Sequence, residues 1–149
     1  MLTLNGECTG RHAKTGQDSL RYCWMNLNGS QDKGVWICTA YRVCQEKSNN
    51  QGPLTAYQRE YEGLIDKGIM DPNPRQQVLD DLLGKINQCR AKGYCPILMM
   101  DANGDPYDAD NPDKQFLDFF KKAQLWDPYK EKHPGKIRMY LDGKKQIDF

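Results

Sequence analysis

The chain has no apolar run approaching the roughly 18 residues of a membrane span, and its mean hydropathy is −0.84. It has almost no net charge: 21 Lys and Arg against 20 Asp and Glu give +1 over 149 residues. No whole-molecule field therefore draws it toward nucleic acid or a charged membrane. Histidine is scarce, with two in all, and none of the six cysteines stands in a CxxC pair or beside a histidine, which argues against a zinc centre. The first residues, MLTLNGECTG, lack the basic start and apolar run of a secretory signal. Cys8, Cys23, Cys38, Cys44, Cys89 and Cys95 are accordingly read as reduced, mostly core residues of an intracellular chain. No repeat, linker or low-complexity segment divides it, and the length suits one domain. Hydrophobic residues make up only 38%, yet three Trp, eight Tyr and four Phe lie in recurring apolar runs, which argues against disorder.

The runs alternate between two periods. Tyr22–Leu27 (YCWMNL) and Val35–Tyr41 (VWICTAY) are rich in aromatic and β-branched residues, and Asn28-Gly29 and Lys33-Gly34 punctuate the stretch between them. They read as a hairpin. Both alternating sets in Val35–Tyr41 are largely apolar, as in a strand covered on two faces. Leu54, Tyr57, Tyr61, Leu64 and Ile65 recur at helical spacing before Gly68. Asn73 caps a second helix, with Pro74 at its first position and Gln76 where a capping-box partner stands. Val78, Leu79, Leu82, Leu83, Ile86 and Cys89 form its buried stripe, and Gly93 ends it. Pro96–Asp101 is a short apolar strand. Asn111-Pro112 repeats the cap-plus-proline start ahead of Phe116, Leu117, Phe119 and Phe120, and a loop follows Leu125. Lys136–Leu141 and Lys144–Phe149 flank Asp142-Gly143, a tight-turn signal. The residues up to Ser19 show little pattern. Together these elements predict an α/β domain whose last strand stops in mid-pattern, as in a truncated domain.

The stretch ILMMDANGDPYDADNPD, Ile97 to Asp113, carries the most chemistry. Five Asp and no base lie between Met99 and Asp113, while Lys114 to Phe149 holds nine Lys and Arg against five acids. Asp101, Asn103 and Asp105 match the first ligands of an EF-hand loop, but Pro106 and Pro112 stand where Gly and a bidentate acid are required, and a strand precedes the loop. Weak cation binding by Asp105, Asp108 and Asp110 stays open. As a strand end, the same stretch puts Ile97, Met99, Asp101 and Asn103 on one face and delivers an acid and an amide to the rim of a sheet. Asp can take a proton or orient water; Asn can donate to a developing oxyanion. An Asx-type turn opening a loop accounts for the same residues.

The order TAYRVCQ (Thr39–Gln45), two helices, ILMMDANGD, a helix and YLDGKKQIDF resembles the endonuclease/exonuclease/phosphatase superfamily, the deoxyribonuclease-I-like proteins, over most of the chain. TGQDSLRYCWMNLNGS is similar to the pair of strands ahead of the AY motif. The likeness is to mobile-element-associated members with an AYRVCQ signature. The resemblance implies a partial two-sheet α/β sandwich over residues 1–149, truncated at both ends. It matches Asp101 and Asn103 to the D-x-N pair, Asp101 orienting or deprotonating the attacking water and Asn103 holding a phosphate oxygen. It matches Tyr41 to the tyrosine near the scissile phosphate and Asp148 to the acid that orients a catalytic histidine. Arg42 falls on the opposite face, as a structural or peripheral residue.

The activity so implied is Mg²⁺- or Mn²⁺-dependent phosphodiester hydrolysis, with nucleic acid the leading substrate and Lys136, Arg138, Lys144 and Lys145 meeting its phosphates. No membrane or obligate protein partner is implied. The chain also departs from the family. Glu7 has no strand to end, so the principal metal acid is missing. The closing S-D-H is absent, and His12 and His133 stand in polar surface contexts. Met100 and Met139 replace a customary Gly and a customary Ser or Thr. A weakly active or inactive fragment is expected. A noncatalytic nucleic-acid-binding remnant is the alternative, and a cation-binding acidic loop a lesser one.

Overall fold

A computed structural model describes residues 12–19, 21–30, 33–44, 55–133 and 149. Four strands form one sheet in the order β1 (His12–Ser19), β2 (Tyr22–Asn28), β3 (Gly34–Tyr41) and β4 (Tyr94–Asp101). β1–β2 and β2–β3 are antiparallel, and β3–β4 is parallel. Four helices complete the described chain: α1 (Ala56–Asp66), α2 (Pro74–Ala91), α3 (Lys114–Lys122) and α4 (Pro128–Lys132). The α/β class and the hairpin are as the pattern predicts. Residue pattern did not reveal β1, though the likeness of TGQDSLRYCWMNLNGS to a pair of strands covers its second half; Gly16 in it lies against the Trp24 ring, where a Cβ would collide. The predicted hairpin at 136–149 lies outside the described residues, apart from Phe149. Among the described residues, no helix is long and apolar enough to cross a membrane.

Local chemistry explains the helix ends. Asn73 caps α2 through Gln76 N, 3.1 Å away. Gln76 does not return the bond as a capping box would; its amide turns forward to Asp80 Oδ1. Gly93, at φ +79°, follows the C-cap, and Gly68, at φ +82°, does the same after α1; this left-handed turn suits glycine. α1 begins at Ala56, capped by Thr55, and of the described residues of its stripe only Leu64 is buried. α3 is capped by Asp113, not by Asn111. The short α4 occupies what read as a loop, capped by Asp127.

Trp36 and Cys38 of β3, and Met100 and Ala102 of β4 and its extension, face α2 and α3. They meet Val78, Leu79, Leu82, Ile86, Phe116 and Phe119 in one core. Burial of this set, at about 25 cal/mol per Å² of apolar surface, holds the helices on the sheet. Helices α2 and α3 pack on this face. On the other side of β4, Ile97 is 47% exposed and Met99 44%.

Candidate active site at the ends of β3 and β4

Parallel pairing sets Tyr41 opposite Asp101, the last residue of each strand. Register partners in neighbouring strands point to the same face, so phenol and carboxylate emerge together at one rim. The ladder continues one step further, with Arg42 N–H donating to Asp101 O at 2.9 Å. Burial, then the Cys44 thiol beside its hydroxyl, then the Asp101 charge push the Tyr41 phenol above its usual range, against the pull of Arg21. The Arg21 guanidinium lies 5.5 Å from the Tyr41 ring centre and is itself held by Glu60 at 2.5 Å and by Ala56 O. Tyr41 thus stays a neutral hydrogen-bond donor, with an ionisable acceptor next to it.

Asn103 reaches the same rim by a different route from the one its spacing predicts. The strand ends at Asp101, and Asn103 adopts φ +46°. Its N–H donates to Asp101 Oδ1 at 3.2 Å, the Asx turn, and its Nδ2 donates to Arg42 O at 2.7 Å. The side chain therefore ties the end of β3 to the turn after β4. One of its two amide hydrogens is spent on that tie. The rest of the acidic loop is built similarly: Asp105 Oδ1 accepts from Tyr107 N and Asp108 Oδ1 from Asp110 N. Among the described residues, no three His, Cys, Asp or Glu stand close enough to hold a metal ion.

Asp148, Lys136, Arg138, Lys144 and Lys145 lie outside the described residues, as does Glu7. Phe149, the residue after Asp148, exchanges two backbone hydrogen bonds with Met100, the residue before Asp101. Such a reciprocal pair is an antiparallel bridge. Its ring packs edge-on against Phe116 at 4.8 Å. His133 is exposed, its ring tilted against that of Tyr129 with centres 4.7 Å apart. Cys23, Cys38, Cys44, Cys89 and Cys95 are free thiols.

Beneath the rim lies a group that the sequence pattern did not reveal. Arg42 is fully buried and Arg75 is 6% exposed. Both bind Asp113, at 2.6 and 2.8 Å. Burial raises the Asp113 carboxyl, but hydrogen bonds from Arg42 and Phe116 N and the two guanidinium charges outweigh it and hold it below its ordinary value. A signal was present: Arg75 is in the first turn of α2, where the helix dipole disfavours a cation, so a compensating acid was to be expected. No protein-family model matches the chain, and no curated protein matches it either.

Proposed function

We propose that the β3–β4 rim is a phosphodiester-hydrolysing site, or a phosphate-binding surface that keeps its framework. The observation that carries this reading is the Tyr41–Asp101 register pair at the carboxyl ends of two parallel strands. In open α/β sheets ligands bind at that end. Asp101 is assigned to orient or deprotonate water, and neutral Tyr41 and the second Asn103 amide hydrogen to donate to phosphate oxygens. Asp148, outside the described residues, is assigned to the same site on the family resemblance alone. The open apolar face of β4, with Ile97 and Met99, supports a second sheet layer of the deoxyribonuclease-I-like kind. The reaction class draws on Mg²⁺ or Mn²⁺, but the described residues do not assemble three ligands for one, and no step is assigned to the ion here.

The test is hydrolysis of bis(4-nitrophenyl) phosphate and of plasmid and single-stranded DNA, with Mg²⁺, with Mn²⁺ and with chelator. Metal-dependent turnover that falls about 10²–10⁴-fold in Asp101→Ala is expected. Turnover unchanged by that substitution removes Asp101 from the mechanism. The noncatalytic reading keeps phosphate binding and loses turnover. DNA binding without turnover, with affinity falling steeply as salt rises, identifies it.

A further inference from the structure

We propose that Arg75 and Asp113, together with Arg42, are positioning residues for the rim: a buried Arg–Asp–Arg clasp fixes the segments after β3 and β4 so that Tyr41, Asp101 and Asn103 stay together. The inference rests on the reading of that rim as the functional centre.

The bonds run to the two tips from below. Arg75 Nη1 donates to Val43 O, just past β3, at 2.5 Å, and Arg75 Nη2 to Asn103 O, just past β4, at 3.2 Å. Arg42 Nε donates to Arg75 O at 3.1 Å, its Nη1 to Ala102 O at 3.5 Å and its Nη2 to Gln115 Oε1 at 2.9 Å. Asp113 receives both guanidiniums, caps α3 through Phe116 N at 3.0 Å, and donates its own N–H to Asp105 O at 2.9 Å. One carboxylate and two guanidiniums therefore join both strand tips to the starts of two helices. Gly104 completes the fit. A Cβ there would lie 3.0 Å from Asp113 Cγ and 3.1 Å from Arg75 Nη2, and closer still to the Asp113 carboxylate oxygen. Buried ion pairs contribute little net stability over well-packed apolar groups. What a guanidinium fork adds is fixed direction toward several acceptors, which an ammonium cannot reproduce.

Two variants separate positioning from folding. Arg75→Lys keeps the charge and loses the fork; Asp113→Asn keeps a capping acceptor and loses the charge. Each is followed by thermal unfolding and by ultraviolet titration of Tyr41, assigned by difference from Tyr41→Phe. Cooperative melting is expected, with Tyr41 titration moved down toward the free-tyrosine value near 10 as the loosened rim opens its burial and Cys44 and Asp101 drift from it. Folded variants in which Tyr41 titrates as in the parent overturn the clasp. If neither variant folds, amide exchange on the parent protein decides. The Arg42 and Asp113 amides, bonded to Asp101 O and Asp105 O, should exchange as slowly as those of α2. Exchange as fast as in the exposed residues around Asp110 overturns the proposal. A parent that neither binds nor cuts phosphodiesters ends the functional reading, while Tyr41 still reports on the clasp.

Discussion

On the helix side of the sheet, Trp36, Cys38, Met100 and Ala102 are at most 3% exposed; one residue away along β4, Ile97 and Met99 on the other side are 47% and 44% exposed. The same strands thus make a packed face and an open one, sorted by period two. The contrast runs to the strand tips. Tyr41 and Asp101 belong to the open set, and the neighbouring Arg42 and Ala102 to the packed set. Groups that can meet a ligand stand on the open side, and the groups that hold them stand one residue further on, inside. The open side is not uniform. Met25, on β2, is 3% exposed, so the exposure is concentrated toward β4, the strand at the end of the described sheet.

The comparison breaks most visibly at Phe116. Its ring is fully buried and touches Phe120 at 4.9 Å, Phe149 at 4.8 Å and the Arg42 guanidinium at 5.8 Å. Phe116→Ala should cost about 3–5 kcal/mol of unfolding free energy, the usual range for a buried ring whose cavity cannot collapse. Urea titration measures it. A loss under about 1 kcal/mol would mean that the helix side is loosely packed and the two faces are alike.

Acid provides the second test. The Asp113 carboxyl is held below its ordinary value in the folded chain, so its contribution is present above the unfolded carboxylate pKa, near 3.9, and is lost as pH falls through the folded value. Hydrogen bonds to charged groups are worth about 1.5–3 kcal/mol each, and stability should fall by that order below the carboxylate range. Asp113→Asn should be less stable at neutral pH and show a shallower acid limb. An identical acid limb in parent and variant would assign acid sensitivity to other carboxylates and remove the ionic contrast between the inside and the open rim.

The strand ends could be read before the coordinates, but the contrast of faces could not, since VWICTAY read as a strand covered on both sides. The apolar runs VWICTAY and ILMMD placed Tyr41 and Asp101 at strand ends, and parallel pairing sets them side by side. The α2 stripe from Val78 to Cys89 follows directly from its helical spacing, with Leu83 at its edge. Two features escaped because pattern cannot carry them. Asn103 leaves the strand face through a left-handed turn, which a period-two count does not foresee. Arg42, Arg75 and Asp113 lie 33 and 38 residues apart along the chain and meet only through tertiary packing; a buried charge network has no periodicity. The cap of α3 moved from Asn111 to Asp113 for the same reason, since the residue that binds two arginines is also the one that turns inward. The polar residues of β1 carry no apolar period, so only the likeness of TGQDSLRYCWMNLNGS to a pair of strands pointed to it; its backbone ladder with β2 is a tertiary feature.

The smallest effect is expected where the contrast is sharpest, between neighbours in one strand. Leu98 packs against the helix-side core and Ile97 is largely exposed on the other side. Threonine is β-branched, a shape that suits a strand, and carries a hydroxyl. Leu98→Thr puts that hydroxyl among Phe116, Phe120 and Leu125, where an unpaired polar group costs about 1–3 kcal/mol. Ile97→Thr leaves it in water, and the change should stay within about 0.5 kcal/mol. Equal losses at the two positions would show that Ile97 is covered in solution and that the two sides of β4 do not differ there.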